Sequence, residues 1–205
     1  MHKVVLVGAG RIGRIHARNA AFDPRLALAG VVDAIDASAQ SLAQEYACPV
    51  LSLEQAIDDP SIAGVIIASS TDTHLDYSLR AAAAGKAIFC EKPIDQSLAR
   101  ARSAAVALGD ARLLLAFNRR FDPNFQALKA RLDSGDIGTL ETLQITSNDP
   151  SPPPPSYVAV SGGLFKDMAI HDFDMARWLL GEDIVEVYAA GSCLVDPEIG
   201  KLGDV

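Results

Sequence analysis

The sequence predicts a parallel α/β domain followed by a shorter region built on a different rhythm. From Lys3 to about Phe117, short β-branched runs alternate with Ala-rich stretches of helix-forming composition, the pattern of βαβ units. A glycine-rich turn joins the first strand to the first helix. After Phe117 the alternation stops.

Strands are expected near 3–7, 26–32, 64–69, 86–90 and 112–117, where Val, Ile, Leu and Phe cluster between turn residues. Helices are expected near 11–22, 37–47, 73–84 and 95–108, and a shorter strand and helix share 50–58. Beyond Phe117, PNFQALKARLD predicts a helix over 123–133, SGDIG a turn, and 139–146 a strand. The prolines 152 to 155 exclude helix and ladder and favour a stiff extended loop, with partner recognition by a PxxP peptide as the other reading. A helix over 166–181 and a strand over 184–195 complete the region. Two strands and a helix make a marginal domain, so the chain reads as a fragment of a longer one.

The 205 residues are 49% hydrophobic and 21% charged, enough for a sizeable core. Eighteen Lys and Arg against 26 Asp and Glu give a charge of −8 without a basic block, which argues against nucleic-acid and anionic-membrane partners. Cys48, Cys90 and Cys193 lack disulfide or zinc spacing and read as small buried hydrophobes in a reducing compartment. The opening MHKVVLVGAG is too short for a secretory h-region, and no apolar run is long enough to span a bilayer; cytoplasmic is the expectation.

Gly8-Ala9-Gly10-Arg11-Ile12-Gly13 is a GxGxxG between a strand and a helix. Alone it is weak. The second strand ends at Asp33, where a dinucleotide fold binds the adenosine ribose hydroxyls, and the combination is strong. Asp33 would repel a 2′-phosphate, and Ala34, Ile35 and Asp36 supply no cation, so NAD is favoured over NADP; a solvated strand end is the bland alternative. Ser70, Thr71 and His74 follow another strand at the carboxyl edge of the sheet, where Thr73 or Asp72 could also simply cap the helix. Glu91-Lys92-Pro93 ends a further strand at that edge, and Pro93 keeps Lys92 out of helical geometry. A lysine in a turn is usually only solvated.

Within KDMAIHDFDMARWLLG, Asp167, His171 and Asp174 fall at i, i+4 and i+7, within roughly 60° on a regular helix. Such a stripe offers a titratable histidine as general base. Structural readings compete: Asp167 in a first helical turn favoured by the dipole, and Asp174 paired with Arg177. The spacing also permits a metal site, which the dinucleotide motif and the lysine make redundant, so no metal is expected.

Together GAGRIG, Asp33, CEKP, FNRRFD and GGLFKDMAIHDFDMARWLLG resemble the Gfo/Idh/MocA family of sugar and polyol oxidoreductases over essentially the whole chain. AFNRRFDPNF with SNDPSPPPP is most similar to its inositol 2-dehydrogenase branch. The resemblance implies a Rossmann NAD-binding domain over 1–118, and over 119–205 the start of an α+β substrate and oligomerisation domain with an open, mainly antiparallel sheet. It implies NAD-dependent oxidation of a cyclic polyol, with myo-inositol first, by a homo-oligomer, dimer or tetramer. By the same correspondence, Lys92, His171, Asp174 and Asp167 would be catalytic. Gly8, Gly10, Arg11, Ile12, Gly13, Asp33, Ser70, Thr71, His74, Glu91 and Lys92 would hold the cofactor, and Asn118, Arg119, Asp149, Asp167 and His171 the polyol. The other functional classes left open are a non-catalytic NAD-binding sensor and a dehydrogenase of another sugar.

Overall fold

The computed structural model describes residues 1–205, which separate into two compact units, Met1–Ala116 and Phe117–Val205.

In the first unit, β1 (His2–Val7), β2 (Leu26–Val32), β3 (Ile62–Ile67), β4 (Ala87–Cys90) and β5 (Leu113–Leu115) form one sheet in the order β2-β1-β3-β4-β5. Every pairing is parallel. Parallel strands need crossovers, supplied by α1 (Arg11–Phe22), α2 (Asp36–Glu45), α3 (Leu53–Asp58), α4 (Thr71–Ala83) and α5 (Leu98–Leu108). β1 runs apolar without alternation because both sheet faces are covered. Leu6 packs with Ala17, Val31 and Leu42 on one face, while Val5 and Val7 pack with Ala56 and Ile62 on the other. The strand expected near residue 50 shrinks to a single parallel bridge between Val50 and Val31, and α3 follows, opened by a capping box of Ser52 and Gln55. With Val50 counted as an edge, the strand order becomes that of a dinucleotide-binding sheet, whose ligand crevice lies at the carboxyl ends of β1 and β3.

The second unit contains a 3₁₀ turn at Asn118–Phe121, then α6 (Pro123–Asp133), α7 (Pro155–Ser161), a π turn at Leu164–Met168, α8 (Ile170–Leu180) and α9 (Pro197–Lys201). Val158, Met175, Leu179 and Ile199 are its buried apolar residues. Asp122 caps α6, accepting from the N–H groups of Asn124 and Phe125, with Pro123 at the first helical position.

Three expectations are corrected here. The strands over 139–146 and 184–195, and with them the antiparallel sheet, are not formed; the only sheet is the parallel one of the first unit. A strand exists only where a neighbour completes its ladder, and these segments have none: Val185, Val187 and Tyr188 stay exposed. The proline run does not exclude helix throughout, because Pro155 opens α7, where its missing N–H costs nothing. The single helix over 166–181 is instead a π turn followed by α8. No helix is long and apolar enough to cross a membrane.

Candidate active site

The nucleotide end of the first unit is built by three glycines with three different tasks. Gly8 has φ 103°, and a Cβ there would lie 2.4 Å from the carbonyl oxygen of Ala68, so the turn closes only without a side chain. A Cβ on Gly13 would strike the Gly8 carbonyl oxygen at 1.8 Å, which fixes how closely α1 approaches the turn. Gly10, at the N-cap of α1, would direct its Cβ into open space. That space is where a ligand's phosphates can approach backbone. No side chain caps α1 and no acid lies in its first turn, so its leading N–H groups and positive dipole end remain available to an anion.

Asp33 is more than a solvated strand end. Its carboxylate accepts the N–H of Ala9 at 2.5 Å and that of Ile35 at 2.7 Å, stapling the glycine turn to the end of β2. Each oxygen retains acceptor capacity for a diol. These observations fit a dinucleotide, with pyrophosphate on α1 and ribose on Asp33.

After β3, Ser70 occupies the N-cap of α4 without a side-chain cap bond. The capping expected of Thr73 or Asp72 gives way to a relay: the Thr73 hydroxyl donates to the Ser70 carbonyl at 2.7 Å and receives Ser69 Oγ at 2.7 Å. His74, expected at the cofactor, is 2% exposed, with Nδ1 2.8 Å from the Pro93 carbonyl oxygen and Nε2 3.1 Å from that of Ser69. Both polar atoms of the ring face backbone, so its geometry is that of a brace. Glu91 is engaged by His16 Nε2 at 2.7 Å, and half-buried Lys92 precedes Pro93 through a cis peptide bond. Cys90, buried beneath this turn, donates through Sγ to the Glu91 carbonyl, and burial pushes its thiol up to about 12.

In the second unit, the N–H of Ala169 donates to the carbonyl of Leu164, five residues back, at 2.8 Å. Asp167 therefore lies on a π turn and His171 on the first turn of α8, and their relation is not that of a regular helix. The Tyr157 hydroxyl donates to Asp167 Oδ2 at 2.9 Å. His171 is half-buried, with Nδ1 inside. Asp174 does not pair with Arg177, which instead meets Asp183 at 2.5 Å. Its oxygens accept Nε and an amino group of Arg120 at 2.8 and 2.7 Å, an anchor between α8 and the 3₁₀ turn. Arg119 is likewise held, by Asp172, which also accepts the Ser147 hydroxyl at 2.8 Å. Asn118 and Asp149 are exposed.

Sequence reasoning did not single out His16, Tyr157, Arg120 or Asp172. Arg120 stood inside the FNRRFD motif and Asp172 beside His171; their pairing is long-range and leaves no local pattern. Tyr157 was hidden by the expectation of a proline loop.

Residues 2–118 match the profile of an oxidoreductase family described as an NAD-binding Rossmann fold, GFO/IDH/MocA, and residues 125–202 match the GFO/IDH/MocA C-terminal domain. An inositol 2-dehydrogenase of Rhizobium meliloti is 48% identical over 201 residues, 97% of this chain and 61% of that protein. A crystal structure of a myo-inositol dehydrogenase from Corynebacterium glutamicum superposes with a TM-score of 0.93 at 42% identity, over 100% of this chain and 62% of that one. A scyllo-inositol dehydrogenase from Lactobacillus casei, solved with NAD(H) and scyllo-inositol, gives a TM-score of 0.83 at 28% identity over 100% and 64%. The chain thus spans about three fifths of the length of these relatives.

Proposed function

The chain belongs to the GFO/IDH/MocA oxidoreductase family, and from that premise we propose that the whole protein oxidises a secondary hydroxyl of a cyclic polyol, myo-inositol first, using NAD. The observation that carries this reading is the 48% identity to an inositol 2-dehydrogenase in a chain that holds both the glycine cradle stapled by Asp33 and the set Lys92, Asp167 and His171.

NAD, when bound, supplies the hydride acceptor. Gly10 and the N–H groups of Arg11, Ile12 and Gly13 bind the pyrophosphate, and Asp33 takes the ribose hydroxyls, with Ser70 and Thr71 beside the sugar. Lys92 stabilises negative charge as it develops on the carbinol oxygen. His171 accepts the hydroxyl proton; with Nδ1 buried, the receiving atom is Nε2. Asp167, oriented by Tyr157, holds an adjacent hydroxyl, while Arg119, Asn118 and Asp149 line the polyol side. Asp174 secures α8 through Arg120. We place the whole protein in the cytoplasm, a reading supported by three free cysteines, and as a homo-oligomer, which the family resemblance implies.

The test is NADH formation by the longest native chain across a panel of cyclic polyols. Turnover of myo-inositol is expected, and His171→Ala should lose about 10² to 10⁴ in kcat while binding NAD normally. NAD binding without turnover on any polyol would leave the sensor reading in its place. Asp33→Ser with Ala34→Arg should shift preference toward NADP, read as the ratio of the two cofactor affinities.

A further inference from the structure

Lys92 stands between two residues that are each held by an imidazole from a different helix. On its amino side, Glu91 Oε1 lies 2.7 Å from Nε2 of His16 on α1, whose ring also meets Phe89 edge-on with centroids 4.8 Å apart. On its carboxyl side, the Pro93 carbonyl lies 2.8 Å from Nδ1 of His74 on α4, whose other nitrogen faces the Ser69 carbonyl. Both contacts are shielded: the His16 and Glu91 side chains are 17% and 20% exposed, and His74 is buried.

Carboxylate and carbonyl oxygens only accept, so His16 donates to the turn through Nε2, and a neutral His74, with one N–H to give, donates at the shorter of its two carbonyl contacts, through Nδ1 to Pro93. The loop after β4 is thereby tied to the helix that begins at Gly10 and to the loop after β3. Neither bond belongs to a ladder or a helix cap. With neither ring nitrogen of His74 turned outward, a direct cofactor contact is the poorer explanation of this residue.

We infer that His16 and His74 are positioning residues, clamping the Lys92 turn to the helix that follows the glycine turn and to the loop after β3. The role of Lys92 rests on the proposed function; the clamp itself is a property of the first unit. Lys92 carries its ammonium on a four-carbon stem, so a shift of the turn is passed to the charge, and a misplacement of about 1 Å costs about 10² in rate.

The experiment compares His74→Ala, His74→Asn, His16→Ala and His16→Gln in the longest native chain. Asn restores an amide donor near the place of Nδ1, and Gln one near the place of Nε2. Amide hydrogen exchange in peptides covering 90–96, measured without cofactor, should rise up to about tenfold in the Ala variants while β1 and β3 are unchanged. In His74→Ala, kcat on myo-inositol should fall about 10- to 100-fold, with a smaller change in KM and NADH affinity kept within about threefold. Asn and Gln should recover most of both losses.

Unchanged exchange in both Ala variants overturns the clamp. Faster exchange with wild-type kcat overturns its part in positioning Lys92, and Asn and Gln variants no better than Ala show that the rings merely fill space. Should His74→Ala fail to fold, His74→Asn and the His16 pair decide by the same readouts. A wild type inert toward every cyclic polyol removes the proposed function instead, and exchange alone then decides the clamp.

Discussion

The two units satisfy their backbones in different ways. Met1–Ala116 pairs five strands in one ladder and covers both faces with helices, so Leu6, Val5, Val31 and Ile67 reach complete burial. Phe117–Val205 relies on helices and isolated turns, and its polar side chains carry much of the order: Arg120 on Asp174, Arg119 on Asp172, Tyr157 on Asp167. In the first unit the fold is built by burial and the candidate functional groups stand on loops at the end of it. In the second, ion pairs hold the very helix that carries the candidate residues His171 and Asp174. Damage to chemistry and damage to structure should therefore separate cleanly in the first unit and less cleanly in the second.

The widest separation is expected at Gly10. A Cβ at Gly10 meets no protein atom within 4 Å, so in Gly10→Val the melting temperature should stay within about a degree or two while NAD binding is lost in calorimetric titration; normal affinity would remove this turn from the phosphate site. Next comes the contrast in packing. Leu6→Ala empties a fully buried position and should cost about 2–5 kcal/mol in denaturant unfolding, whereas fully exposed Val185→Ala should stay within about 0.5 kcal/mol. Equal costs would show that 184–195 is packed in solution.

Arg120→Ala leaves the shielded Asp174 carboxylate without its guanidinium. Because Arg120 is itself 41% exposed, solvent screens the pair, and the loss should be roughly 1–2 kcal/mol rather than the larger value of a fully buried pair. Turnover should fall as well, since α8 carries His171. A fall in stability with unaltered kcat would detach the anchor from the chemistry.

The smallest effect concerns Cys90. Its folded-state value is raised, so the native state keeps the proton more tightly than the unfolded chain; the corresponding stability is intact below the usual thiol range and lost as pH rises from there toward about 12. Denaturant midpoints should decline between about pH 9 and pH 11, and Cys90→Ala should remove that part of the decline. In the native protein Cys90 should resist alkylation until unfolding.

Much of the first unit was legible in the sequence because its information is local. Apolar runs such as VVLV and GVII, bounded by turns, fall where β1 and β3 form, and GAGRIG marks a strand-to-helix turn at its own position. The bracing of His74 was not legible, since it depends on Pro93, nineteen residues away in a separate βα unit. In the second unit, 184–195 has strand composition but no ladder partner, and composition alone cannot supply one. The helical stripe failed for a subtler reason: a π turn inserts its extra residue without any proline or glycine inside Leu164–Met168 to announce it.

That inserted residue stores the relation between Tyr157 and Asp167 as chain length rather than as side-chain identity. Removing Leu164, Phe165 or Lys166 would let the turn relax to ordinary helical pitch and swing the preceding chain by about 100° around the axis. Every candidate group would still be present, yet the Tyr157 hydroxyl would no longer meet Asp167 from the same side. A lineage of such proteins can therefore lose this pairing through a single codon deletion that an inventory of its residues would pass as intact.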